Sequence, residues 1–87
     1  MIDLNQACKL AKEYYEKNTD KKFLSKIYEH KEMWIIYSKT NEVEFGGYGI
    51  SIDKETAEIK IFILPSRKNF EILAASRIVE VPKDYAE

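Results

Sequence analysis

The stretch from Gly46 to Leu64 constrains the fold of this 87-residue chain more than any other part of the sequence. Two segments in it alternate between two sets of residues with a period of two, which is typical of half-buried β-strands: Tyr48 to Ile52 and Ala57 to Leu64. The four residues between them begin with Asp53, whose carboxylate can accept backbone N–H groups and close a type I turn. The sequence therefore predicts a β-hairpin.

Three glycines lie at the entry to this hairpin: Gly46, Gly47 and Gly49. The absence of a β-carbon permits either positive φ or a close approach of the first helix to the sheet, so a bulge or a packing site is expected here. A phosphate-binding loop would be followed by a helix, whereas these glycines lead into a strand. We therefore interpret them as structural.

An amphipathic helix is predicted at the start of the chain. Asp3 can cap it, Gln6 can complete a capping box, and Lys17 marks its end. Its apolar residues recur at steps of three and four, which predicts one buried stripe consisting of Leu4, Ala7, Cys8, Ala11, Tyr14 and Tyr15.

Two further strands are predicted before the hairpin. The segment from Phe23 to His30 alternates weakly, with Leu24, Lys26 and Tyr28 on one side, and is interpreted as an edge strand. After a turn at residues 30–32, the β-branched and aromatic segment from Met33 to Lys39 is typical of a central strand buried on both faces. Its Trp34 is expected in the core.

A short second helix is predicted after Pro65, capped by Ser66, with Phe70, Leu73 and Ala74 at helical spacing. In residues 77–81, Ile78, Val79 and Val81 are β-branched, which predicts a short terminal strand or extended segment, followed by a frayed tail over residues 83–87. The expected fold is a single α+β domain spanning residues 1–87. In it, an N-terminal helix packs on an antiparallel sheet of about four strands, and a short C-terminal helix follows.

Composition excludes several partner classes. The 14 basic and 15 acidic residues give a net charge of −1, which offers no electrostatic footprint for nucleic acid or an anionic membrane. The amphipathic start is unlike a signal peptide, and no apolar run is long enough to span a membrane. We expect a cytoplasmic protein that binds neither nucleic acid nor membrane.

No motif with the spacing of a catalytic or metal site is present. His30 lies in a predicted turn, and Cys8 is expected to be a buried apolar residue. Because these are the only histidine and the only cysteine, no protein-built zinc site is expected, and no cofactor is predicted. An acid/base enzyme is one alternative that the sequence leaves open. It requires a pocket that perturbs the pKa values of at least two of four loop carboxylates: Glu42, Glu44, Asp53 and Glu55.

The run GYGISIDKETAEI, with Trp34 on the preceding strand and an amphipathic helix at the start, resembles the immunity-protein 35 family of small bacterial proteins. The family has a similar order of elements along most of the chain, including the turn and the Glu-Ile pair that here is Glu58-Ile59. Its turn usually ends in glycine, where this chain has Ala57. The resemblance implies a cytoplasmic antidote that binds and neutralises a cognate toxin.

Within that hypothesis, the approach to the hairpin is the predicted partner contact. Phe45 and Tyr48 would be aromatic anchors, and Glu42 and Glu44 would engage a basic toxin surface, because packing does not explain the composition of this loop. The same residues could instead cap the core and confer solubility.

The sequence thus predicts a non-catalytic binding protein, with no catalytic residue and no metal ligand. Two alternatives stay open: a structural or interaction domain, and a small-ligand-binding α+β domain with a pocket near Tyr37, Tyr48 and the glycines. An exposed strand edge could also pair with a second copy of the chain.

Overall fold

A computed structural model describes residues 1–18, 24–38, 48–63 and 67–85 of the chain. They form one helix on a five-stranded antiparallel sheet, with a second short helix before the last strand, which confirms the expected α+β class with one strand more than about four. The elements are α1 (Leu4–Asn18), β1 (Leu24–Glu29), β2 (Met33–Ser38), β3 (Tyr48–Asp53), β4 (Ile59–Ile63), α2 (Arg67–Ala74) and β5 (Arg77–Val79).

The start of α1 is fixed by its own sequence. The Gln6 N–H donates to Asp3 Oδ1 at 2.9 Å, and the Asp3 N–H donates to Gln6 Oε1 at 3.0 Å, which is the predicted reciprocal capping arrangement. The apolar stripe of α1 packs on β2, and the Tyr15 hydroxyl donates to the Ile36 carbonyl at 2.9 Å. Helix and sheet are therefore joined both by burial and by a buried hydrogen bond.

The strands are ordered β4-β3-β2-β1-β5, so β2 is the central strand, as its composition predicts. Residues directly opposite one another share a face of the sheet. One row crosses the whole sheet on the face that carries α1, and it consists of Val79, Ile27, Ile36, Ile50 and Ile61. Its three central members are fully buried with the α1 stripe and Trp34 in one core cluster.

The prediction of β1 as an edge strand is wrong, because β5 pairs antiparallel with its outer side. Its alternation also differs from the prediction. A register shift between Leu24 and Lys26 places one extra residue in the strand, so Leu24 packs in the same core as Ile27 and not on the side of Lys26. This bulge explains why the period-two pattern of the segment is weak in the sequence.

The last described residues, 83–85, are held beside the sheet, whereas the sequence predicts a frayed tail there. The Leu24 N–H donates to the Tyr85 carbonyl at 2.8 Å, and the Tyr85 side chain packs against the core cluster. The expectation of fraying is therefore wrong for residues 83–85, because a backbone hydrogen bond and apolar burial hold them beside β1.

Candidate functional site

Most of the sequence-predicted partner contact lies outside the described residues. This applies to Glu42, Glu44 and Phe45. Tyr48 is the first residue of β3, paired with Ile63 of β4, and its side chain also lies outside the described part. The assignment of these four residues to a partner surface stays a prediction.

Gly49 is a packing site, one of the roles expected for these glycines. A β-carbon at this position would lie 2.9 Å from ring atoms of Tyr37, its cross-strand partner on β2. The group that comes close to this glycine is thus an aromatic ring and not helix α1. Tyr28 packs edge-on against Tyr37 at 6.2 Å between ring centroids.

The most unusual polar arrangement lies at the opposite end of the sheet, around Lys54 in the β3–β4 turn. Lys54 is only 8% exposed. Its Nζ lies 3.0 Å from Glu29 Oε2 and 4.8 Å from the centroid of the Trp34 ring. A lysine this buried requires an anionic partner, and here the ammonium group is also placed over an aromatic face.

Glu29 bridges this lysine to the last strand. Its Oε1 accepts hydrogen bonds from Arg77 Nε at 2.9 Å and Nη2 at 2.6 Å, while Oε2 accepts from Lys54. These hydrogen bonds, first those from Arg77 and then that from Lys54, lower the pKa of Glu29 below its usual 4.5. We call the three charged side chains, with the ring of Trp34, the Lys54 network.

The backbone of Lys54 is also held, by two hydrogen bonds to other parts of the chain. Its N–H donates to the Glu32 carbonyl at 3.1 Å, and its carbonyl accepts from the Ile2 N–H at 2.8 Å. The Trp34 indole N–H in turn donates to the Ile2 carbonyl at 3.4 Å. The start of the chain and two hairpin turns therefore meet at one residue.

The turn that carries Lys54 follows the sequence prediction closely. Asp53 Oδ1 accepts from the N–H groups of Glu55 at 2.8 Å and Thr56 at 3.0 Å, and these bonds, the one from Thr56 first, lower the pKa of the Asp53 carboxyl. Ala57 closes the turn with φ of 63°, a left-handed conformation that glycine adopts more readily.

Two depressions flank Lys54. One, of about 290 Å³, is lined by Met1, Lys31, Glu32, Asp53, Lys54 and Glu55. The other, of about 350 Å³, lies between the β1–β2 turn and residues 74–77. The first brings two of the candidate carboxylates together, Asp53 and Glu55. A general acid needs a raised pKa, whereas the pKa of Asp53 is lowered. The lowered pKa results from the hydrogen bonds by which this carboxylate caps the turn.

Other candidate groups have structural surroundings. Burial raises the pKa of Cys8 to about 11, so its thiol stays protonated in the core. The His30 Nδ1 accepts from the Glu32 N–H at 3.2 Å within the turn. Within residues 1–18, 24–38, 48–63 and 67–85, no group of three or more His, Cys, Asp or Glu side chains could hold a metal ion.

A second candidate region consists of α2 and β5, which we call the α2–β5 surface. The apolar residues of α2 recur at helical spacing, yet none of the eight residues of the helix is buried. Phe70 is 52% exposed, and Ile78 on the adjoining strand is 76% exposed. Ile72 and Leu73 are partly covered, so the apolar stripe of α2 is incompletely buried, with Phe70 as its large exposed member. An amphipathic helix of this kind has the composition of a contact surface.

Sequence reasoning missed both regions. A lysine in a charged hairpin turn is normally solvated, so nothing marks Lys54 as buried. The periodicity of α2 predicts a helix but does not indicate whether its apolar stripe finds a core.

Comparisons of the chain with protein-family models, with curated proteins and with solved structures find no match. Neither helix of the described part of the chain has the length and apolar character needed to cross a membrane.

Proposed function

We propose that this protein is a non-catalytic binding protein of the immunity type, which neutralises a cognate bacterial toxin in the cytoplasm by covering its active site or substrate groove. The observation that carries the binding role is the incompletely buried apolar stripe of α2. The toxin as partner rests on the resemblance of residues 47–59, with Trp34 and the amphipathic first helix, to the immunity-protein 35 family.

The α2–β5 surface has the features of a contact site. Binding energy at protein interfaces is concentrated in a few large anchors that become fully desolvated, and exposed Phe70 and Ile78 are large apolar side chains of this kind. Arg77, with a side chain that is 78% exposed, precedes Ile78 on this outer strand and points to the opposite face, so a partner meets both only by covering the edge of β5. Arginine is among the residues enriched in protein interfaces.

The support beneath this surface favours a preorganised contact. β5 is hydrogen-bonded to β1, and Arg77 is held by Glu29 of the Lys54 network. Less conformational entropy is lost when a contact residue is already fixed, so an anchored Arg77 binds at a smaller entropic cost than a free one.

A second proposed contact is the segment containing Glu42, Glu44, Phe45 and Tyr48, as the sequence predicts.

Co-expression with a toxin tests the role. The partner to use is a toxin domain encoded beside this gene, and the readouts are growth rescue and a stoichiometric complex of the purified proteins. We expect both. Failure of binding together with failure of rescue would reject the immunity proposal.

Matched variants then locate the contact. Phe70→Ala and Ile78→Ala should weaken the complex at least about tenfold, the range expected for a buried interface anchor. Lys68→Ala is the control, because 100° per residue places Lys68 on the side of α2 opposite Phe70 and Leu73. If only Phe45→Ala or Tyr48→Ala weakens binding, the contact lies on the approach to the hairpin and not on α2.

A further inference from the structure

Among the strands that the structure describes, β4 is the longer of the two at the edges of the sheet. It has five residues against three in β5, and its one charged residue is Lys60. Ile61 at its centre is 52% exposed, although it ends the apolar row that is buried in the middle of the sheet. Such an edge is a template for an added strand.

The register shows which backbone groups of β4 face outward. The Asp53 N–H donates to the Glu58 carbonyl at 3.0 Å, so these two residues form a hydrogen-bonded pair across the hairpin. In an antiparallel ladder, such pairs alternate with pairs whose N–H and C=O groups point away from the neighbouring strand. The outward groups on β4 therefore belong to Ile59, Ile61 and Ile63.

We infer that this edge is a self-association surface, and that its occupant is β4 of a second copy, paired antiparallel about a two-fold axis at Ile61. In this register Ile61 pairs with Ile61 of the second copy, and Ile59 pairs with its Ile63. Each pair exchanges two backbone hydrogen bonds, so all three outward-facing residues are used.

Neighbouring registers are disfavoured by the residues that bracket β4. A pairing centred on Lys60 would set two lysines directly opposite each other and place Ile63 opposite Ala57, which has φ of 63° and whose N–H already donates to the Asp53 carbonyl at 2.9 Å. A pairing centred on Phe62 would place Ile59 opposite Pro65, which has no N–H. The edge thus fits a strand of its own length and sequence.

Side chains agree with this register on both faces. The row that ends at Ile61 continues into the same row of the second copy, so the exposed isoleucine is buried against an identical one. On the other face Lys60 lies opposite Phe62 of the second copy, and no like charges are directly opposite. The resulting dimer has one continuous ten-stranded sheet. Its formation does not depend on the proposed toxin partner.

Sedimentation velocity over a concentration series tests the pairing. We expect a species of twice the 10.2 kDa chain mass that dissociates on dilution. Ile61→Lys should raise the dissociation constant more than about a hundredfold, because it removes apolar burial and sets two ammonium groups against each other at the axis. Ile78→Lys is the matched control at the other edge and should leave the dimer unchanged.

Two more variants examine the geometry directly. Ile61→Pro removes the outward N–H and the isoleucine side chain but no hydrogen bond to β3, so it should abolish the dimer while circular dichroism shows an unchanged fold. Ile61→Cys in a Cys8→Ala background should form an intermolecular disulfide under mild oxidation, because paired α-carbons are about 5.5 Å apart. A wild-type protein that stays monomeric up to about 0.5 mM, or a dimer that survives both Ile61→Lys and Ile61→Pro, would overturn the inference.

Discussion

Both helices in the described part of the chain are amphipathic, yet only α1 buries its apolar residues in the core. In α1, Ala7, Cys8 and Ala11 are fully buried and Tyr15 is hydrogen-bonded to β2. In α2, no residue is buried and Phe70 is half exposed. Amphipathicity thus indicates which face of a helix can be buried, whereas the surrounding structure decides whether it is.

The largest expected effect comes from truncating one aromatic residue in each helix. Tyr15→Ala should lower the free energy of unfolding by about 3–4 kcal/mol, because it leaves a cavity and removes the hydrogen bond to Ile36. Phe70→Ala should lower it by less than about 1 kcal/mol, since its ring is half in solvent. Urea unfolding measures both, and equal losses would remove the distinction between the helices.

The second effect concerns Glu29, which joins Arg77 of β5 to Lys54 of the β3–β4 turn. Glu29→Gln should cost about 2 kcal/mol near neutral pH, because it leaves buried Lys54 without an anionic partner. The carboxylate has a lowered pKa in the folded state. Its stabilisation is therefore present above the usual 4.5 and is lost as pH falls through the lower folded value.

Urea unfolding of wild type and Glu29→Gln at a series of pH values would show this. The difference between the two proteins should shrink as the solution is acidified below about pH 4.5. Glu71→Gln, on the exposed surface of α2, serves as the control and should change stability little. A difference that stays constant down to strongly acidic pH would contradict the role assigned to Glu29.

A smaller effect is expected at the N-terminus of α1. Asp3→Ala should destabilise the fold by about 1 kcal/mol, because it removes the acceptor for the Gln6 N–H, whereas Asp3→Asn keeps an acceptor and should cost less. Thermal unfolding distinguishes the two variants. If Asp3→Ala cost as much as Tyr15→Ala, the local cap and not the core would dominate the stability of α1.

The smallest effect should be a gain. Ala57→Gly relieves a left-handed conformation, partly offset by the greater freedom of glycine in the unfolded chain, so we expect stabilisation of about 0.5 kcal/mol. Ala74→Gly in α2 has no such strain to relieve and should destabilise instead. Thermal unfolding should show the gain for Ala57→Gly and the loss for Ala74→Gly.

Local sequence was sufficient where the decisive contacts are close along the chain. The cap of α1, the Asp53 turn and the period-two strands of the hairpin all depend on residues a few positions apart, and each is confirmed. The position of β1 depends instead on β5, almost fifty residues later, so its pattern alone could not place it inside the sheet.

The candidate site was harder to predict for the same reason. Glu29, Lys54 and Arg77 come from three separate parts of the chain, and none has a sequence context that differs from a solvated surface residue. The exposure of α2 is equally non-local, because it depends on which faces the sheet leaves uncovered. The predicted partner residues Glu42, Glu44, Phe45 and Tyr48 stay a prediction.

The position of Trp34 gives the protein an intrinsic optical reporter. It is the single tryptophan of the chain, 6% exposed, with its indole N–H on the Ile2 carbonyl and the Lys54 ammonium over its ring. Its fluorescence therefore senses the first residues of the chain, the hairpin turn and, through Glu29, the last strand. Unfolding of any of these, or docking of a partner beside them, could be followed without attaching a dye.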